Sequence, residues 1–327
     1  MGKVFIQAAE QISIQNPLSE EWMEQPIVYH EPFVKAVNPA FRDYIAPNEA
    51  RRMCNIMKRA LVTSLKVLKE TGIEHPDAII TGTSIGSLDY TEKFLDALVE
   101  NGEESLSPTY FMQTTHNTVS STISIYTGTH SYNTTYSHGG ISFELALEDA
   151  WMQFCLGQIF NALVGGHDEM AASYYELLQK TGYVGVDGME PCSECAMSMM
   201  LNKQVSPDNL CELAGVRVFR TKSLQNIRKH LEILMKEAQI DLADIQTVMT
   251  GVNGNPENDC LYQPVLEELF PQTEHLKYKH LFGENFTVSA LGLYAAAHLM
   301  KKQDMPVMLF VNCTINGDCA LILLKRI

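Results

Sequence analysis

The sequence predicts an α/β fold, and three observations carry that prediction. Short apolar runs of strand length alternate along the chain with longer stretches of helical periodicity. Several of these runs end on glycine, as strands entering loops do. The composition, 46% hydrophobic over 327 residues, suits a packed globular protein and fills two ordinary domains or one larger double unit. Strands alternating with helices throughout imply sheets that are largely buried.

Taken in order, residues 50–68 place apolar side chains at helical spacing, with Arg51, Arg52, Lys58, Arg59 and Lys66 on the other side. Residues 78–81 read as a strand running into a loop at Gly82 and Gly86. Residues 140–156 have a helix pattern that Gly157 ends. Residues 158–164 read as a strand stopped by Gly165-Gly166. The second half repeats the logic, with a strand over 196–201, an amphipathic helix over 224–239 and a strand over 245–250. Helices are predicted at 257–270 and 288–301, then two closing strands at 306–313 and 320–324, split by a turn at Asn316-Gly317-Asp318.

A formal charge of −15 without a basic block argues against nucleic acid and anionic membrane surfaces as partners. No run of about eighteen apolar residues occurs, so no membrane span is expected. The first fifteen residues hold one Lys and no apolar run of signal-peptide length. Ile6 stands where a myristoylation motif wants Ser or Thr. A cytoplasmic protein is expected. Eight cysteines are scattered, and only Cys192-Ser193-Glu194-Cys195 has metal-like or redox-like spacing. A zinc site would need two further ligands, and no second CxxC or HxxxH exists, so free, mostly buried thiols are expected, with no metal and no cofactor. The loop Thr81-Gly82-Thr83-Ser84-Ile85-Gly86 matches neither the P-loop nor the dinucleotide fingerprint and reads as a turn.

Further segments form a series. Arg51-Arg52-Met53 precedes an Ala/Leu-rich helix, and the Thr81–Gly86 loop follows. Residues 108–111, Asn117 and Tyr126-Thr127-Gly128 lead to Thr134-Thr135-Tyr136-Ser137-His138-Gly139-Gly140. Then come Leu163-Val164-Gly165-Gly166-His167-Asp168-Glu169, Asp187-Gly188 with Glu194, Asn253-Gly254 with Asn258-Asp259, Lys279 with Gly283-Glu284, and residues 312–318. In order and spacing, over roughly residues 45–325, these resemble the β-ketoacyl synthases of the thiolase superfamily. The resemblance implies a thiolase-like fold in which two similar α/β halves, residues 1–170 and 171–327, stack in an αβαβα arrangement around one active site. The first half would carry the nucleophile elbow at Ser137, and the second the loops of Asn253 and Glu284. A dimer is also implied, with the Tyr/Thr-rich strand 130–136 pairing across the two-fold axis.

Condensation in that family uses a thiolate on a strand-to-helix turn and two imidazoles that stabilise charge on the thioester oxygen. Here the resemblance puts Ser137, Asn253 and Glu284 at the Cys, His and His positions, with His138, Lys279, Asn312 and Gly317 as supporting positions. A serine hydroxyl is a weak nucleophile without a base. His138, His116, His130, His280 and Glu284 are the candidates for that base, and Ser137 as a small filler is the competing reading. Asn253 can still donate a hydrogen bond to a carbonyl. An ionised Glu284 would repel an enolate and a malonyl carboxylate.

The loss of all three groups on a retained scaffold implies a non-condensing partner subunit. Chain-length factors play that role beside an active 3-oxoacyl carrier-protein synthase in type II polyketide, aryl polyene or fatty-acid-like biosynthesis. Two alternatives remain: an acyltransferase or thioester hydrolase working through an acyl-Ser137, and an acyl-binding regulatory protein. The implied partners are an acyl carrier protein or acyl-CoA, and a homodimer or a heterodimer with an active ketosynthase. Carrier proteins dock on basic patches, and beyond Arg51-Arg52, Lys58-Arg59 and Arg217-Arg220-Lys222 this chain has few clustered positive residues. Carrier docking is therefore expected to fall to the partner.

Overall fold

The computed structural model describes residues 2–327, the side chains of residues 104 and 105 apart. The chain begins with β1 (Val4–Ile12), α1 (Pro47–Ala50), α2 (Asn55–Thr71), β2 (Ala78–Gly82), α3 (Leu88–Asn101) and α4 (Pro108–Gln113). It continues through α5 (Thr118–Thr127), β3 (Tyr132–Tyr136), α6 (Ser142–Leu156), β4 (Asn161–Asp168), α7 (Ala172–Lys180) and β5 (Cys195–Asn202). The second series is β6 (Cys211–Arg220), α8 (Leu224–Ala238), β7 (Thr247–Thr250), α9 (Pro256–Asp259), β8 (Glu274–Lys277) and α10 (Lys279–Phe282). It closes with α11 (Val288–Lys302), β9 (Val307–Cys313) and β10 (Asp318–Lys325).

The strands form one hydrogen-bonded array in the order β3-β2-β4-β5-β1-β6-β10-β9-β7-β8. β2 lies parallel to β3 and β4, while β5 runs antiparallel to β4 and β1. β7 likewise lies parallel to β8 and β9, while β10 runs antiparallel to β9 and β6. Each set of five therefore repeats the other, and the two meet where Val4–Ile6 pairs antiparallel with Cys211–Leu213. We propose that the halves join between β5 and β6, later than residue 170, because β5 already completes the first set.

Side-chain alternation sorts the strands into layers. Ile80, Val164, Met308, Phe310, Ile322 and Leu324 share one core with α6 and α11, the middle helix layer. Ile79, Leu163 and Met200 face α2 and α5 on one outside. Val248, Leu309, Leu321 and Leu323 face α8 on the other. This is the layered thiolase-like αβαβα architecture. Gly82 permits a close approach of β2 to α6, since a Cβ there would lie 2.5 Å from the Ser142 carbonyl at the start of that helix.

Some local readings are corrected. The helix read over 257–270 is broken into α9 and a single π-turn, Val265–Leu269. Pro264 stands between them, with no N–H to give and a fixed φ. α6 starts at Ser142, two residues after its apolar pattern begins. β1 and β6, at the centre of the array, carry no strand reading in the sequence. Among the described residues, no helix is long and apolar enough to cross a membrane.

Candidate functional site

The loop after β2 is held from below by β4. Asp168, the last residue of β4, accepts hydrogen bonds from the Thr83 hydroxyl (2.8 Å) and from the N–H groups of Ser84 (3.0 Å) and Ile85 (3.0 Å). Burial pushes the Asp168 carboxyl up to about 6, against the pull of those bonds. The elbow after β3 leans on this loop: Thr83 N–H donates to the Tyr136 carbonyl (3.0 Å), and Ser137 Oγ donates to the Ser84 carbonyl (3.3 Å).

Ser137 is exposed, and among the described residues its hydroxyl makes no other hydrogen bond. α6 begins five residues further on. Ser142 Oγ accepts from the His138 N–H (2.8 Å) and donates to the Gly139 carbonyl (2.7 Å), so the start of α6 is tied to the elbow loop. His138 points elsewhere, with its Nε2 3.8 Å from Asp318. His116 packs beside Gly86, and His116, His130 and His280 are all exposed.

The other positions do converge. Lys279 Nζ donates to Glu284 Oε2 at 2.8 Å, and Asn253 Nδ2 donates to the same oxygen. All three side chains are buried. Asn253 Oδ1 accepts from the Asn255 N–H and from Asn258 Nδ2, each at 3.0 Å. Asp259 holds the loop by accepting from the N–H groups of Asn253 (2.9 Å) and Gly254 (3.0 Å). Gly254 has φ +86°, and a Cβ there would sit 2.2 Å from the Gly188 carbonyl oxygen, so this turn requires glycine. Glu284 is pinned through its backbone as well, its N–H donating to Pro191 and its carbonyl accepting from Ser193.

Asn312 joins this cluster to the elbow. Its Nδ2 donates to the Gly140 carbonyl (3.0 Å) and to Glu144 Oε1 (2.6 Å), while its Oδ1 accepts from the hydroxyls of Tyr278 (3.2 Å) and Tyr262 (3.4 Å). Gly317, at φ +87°, turns the adjoining loop, and its carbonyl accepts from the Thr221 N–H at 2.7 Å. Glu144 is a site residue that the sequence does not announce, because inside the α6 pattern it reads as an ordinary helix former. It is fully buried, and burial raises its carboxyl to about 7, opposed by the bond from Asn312 and by the charge of Lys279.

The cavity among these groups is about 30 Å³, lined by Gly140, Asn253, Lys279, Glu284 and Asn312 with Tyr183 and Phe286 over it. That is room for water and for no acyl chain. Neither Ser137 nor His138 lines it. Chemically the cluster is neutralised by its own members, with Glu284 occupied by an ammonium and an amide. The Cys192–Cys195 segment is structural. Cys192 bridges residues 33 and 284, and Glu194, just before β5, makes a 2.9 Å ion pair to buried Arg59.

The family pattern described as beta-ketoacyl synthase, N-terminal domain, matches residues 20–250. Among curated proteins no sequence relative of the chain is found. Among solved structures, the ishigamide ketosynthase/chain length factor superposes with a TM-score of 0.84 at 14% identity, covering 100% of this chain and 99% of that one. A ketosynthase in complex with its chain length factor from Xenorhabdus doucetiae gives 0.83 at 14% identity, covering 100% and 98%. A beta-ketoacyl synthase from Burkholderia phymatum gives 0.80 at 12% identity, covering 100% of both chains. With the family pattern spanning most of the sequence and a duplicated five-strand topology, the chain belongs to the β-ketoacyl synthase family.

Proposed function

We propose that this chain is a non-condensing, chain-length-factor-like subunit. It would pair with an active 3-oxoacyl carrier-protein synthase in a cytoplasmic fatty-acid or polyketide-type pathway, the aryl polyene type included. One observation carries the reading. Where condensation needs two imidazoles around a substrate-sized space, Asn253, Glu284 and Lys279 form a closed, charge-balanced cluster around a cavity of about 30 Å³. Ser137 has no base within hydrogen-bonding distance among the described residues, so its hydroxyl stays protonated and weakly nucleophilic.

Among the similar structures are ketosynthases with chain length factors, and a ketosynthase in complex with its acyl carrier protein. A partner ketosynthase and an acyl carrier protein are the corresponding proposals for this chain. β3 suits the partner interface, because it ends the array with one neighbour only and leaves a row of backbone groups open to another strand. The candidate basic patches are partly spent within the chain. Arg59 is buried against Glu194, Arg217 lies 3.6 Å from Glu237, and Arg220 lies 3.8 Å from Asp318. This supports leaving carrier docking to the partner.

The test is reconstitution with an intact Cys-His-His synthase encoded nearby. Product should form only when both chains are present, and Ser137→Ala should leave turnover unchanged. Mass spectrometry after incubation with acyl-loaded carrier protein gives the opposing outcome. An adduct on this chain that Ser137→Ala removes would make it an acyl-serine enzyme instead.

A further inference from the structure

β9 and β10 are joined by a tight loop in which Thr314 N–H donates to the Asp318 carbonyl and Gly317 N–H to the Thr314 carbonyl, each at 2.8 Å. In the register of this hairpin, Cys313 lies directly opposite Cys319. Bonded and non-bonded pairs alternate along an antiparallel ladder. The bonded pair at Thr314 and Asp318 therefore makes Cys313–Cys319 a non-hydrogen-bonded pair, with Cα atoms about 4.5 Å apart and side chains at their closest. That separation falls within the span of about 4.4–6.8 Å that disulfides bridge. Both side chains enter the same core layer beneath α8. Both thiols are free, and the two residues are 2% and 3% exposed. The neighbouring Cys319 thiol and burial hold the Cys313 thiol well above its ordinary range.

We propose that Cys313 and Cys319 are a reversible disulfide site, a redox modification that clamps the hairpin beside the elbow. The inference stands independently of the pairing with a ketosynthase. The pair with redox-like spacing in the sequence, Cys192 and Cys195, is placed differently, its members lying in separate core clusters. The oxidant is a small disulfide of the oxidised-glutathione class. A thiolate of the pair attacks one sulfur of that oxidant and expels a thiol. The second cysteine then attacks the mixed disulfide and expels another. The protein loses two protons and two electrons, and the oxidant leaves as two thiols. Burial keeps thiolate scarce at neutral pH, so the reaction is slow and quickens as pH rises. The consequence is local. Asn312 precedes Cys313 and holds Gly140 and Glu144, while Asp318 precedes Cys319 and faces His138 and Arg220. A bond between the cysteines fixes both contacts in one geometry.

The experiment uses the folded full chain incubated with oxidised glutathione at pH 8, followed by alkylation of remaining thiols in denaturant and peptide mapping. The expected result is a segment about 2 Da lighter that escapes alkylation at both positions, reverts with dithiothreitol, and accompanies a rise of a few degrees in Tm. Cys313→Ala and Cys319→Ala should each abolish the loss, and Cys211→Ala should retain it. Full alkylation of both cysteines, or a stable glutathione adduct on either one, overturns the proposal in the wild-type chain, whatever the folding of the variants.

Discussion

Glu144 concentrates the electrostatics of the candidate site in one side chain. Its carboxyl stands at about 7 in the folded chain, against 4.5 for an ordinary glutamate. The folded state thus holds this proton more tightly than the unfolded one. The stability it contributes is fully present below about pH 4.5 and is lost as pH rises through 7. Glu144→Gln keeps an acceptor for Asn312 and removes the ionisation. Little change is expected at pH 5 and a gain approaching about 3 kcal/mol at pH 8, read from urea unfolding at the two pH values. An equal effect at both would sink the assignment. His167 acts in the opposite sense. It is fully buried, with both ring nitrogens unpartnered among the described residues, and burial lowers it to about 3. Its contribution is present above its ordinary 6.5 and fades as pH falls toward 3.

Among the elements, β3 and α5 leave large apolar side chains uncovered. Tyr132 on β3 is 44% exposed and Ile125 on α5 is 82% exposed, while Phe111 and Met112 on α4 are exposed beside them. Ile125→Asp is expected to leave the Tm of the isolated chain within about 1 °C, since surface changes rarely exceed 0.5 kcal/mol. Association with the partner should weaken at least tenfold by analytical ultracentrifugation, an unpaired carboxylate in a desolvated interface being costly. Unchanged association would move the interface off this face. The sequence reveals elements unevenly, for physical reasons. Residues 78–81 and 306–313 are legible because glycine or proline punctuates an apolar run. β1 is not: eight of its nine residues are buried, so it lacks the alternation that marks a strand with one wet face. At the site, the positions of Asn253, Glu284, Lys279 and Asn312 follow from the family resemblance, yet their bonds do not, because Asn253 meets Glu284 across 31 residues and Asn312 meets Glu144 across 168. Glu144 is hidden for the same reason.

For the whole molecule, the central core is the decisive fact. It takes Ile80 and Val164 from one half and Phe310 and Ile322 from the other, with α6 and α11 between. Neither half can bury its inner face alone. Fragments cut after Ser206 are expected to lack a cooperative urea transition separately and to regain one when co-expressed, followed by near-UV circular dichroism. A cooperative transition in either lone fragment would show that the halves are independent domains.

The place of β1 between β5 and β6 also sets a schedule for synthesis. β1 leaves the ribosome before its two neighbours, and β5 begins at Cys195, more than 180 residues after β1 ends. At about 5–20 residues per second, that is a wait of about 10–40 s for an apolar nine-residue segment whose two neighbours do not yet exist. Until they emerge, Val4–Ile12 is a segment for chaperones to shield, and the newborn chain cannot close its sheet from the N-terminal end.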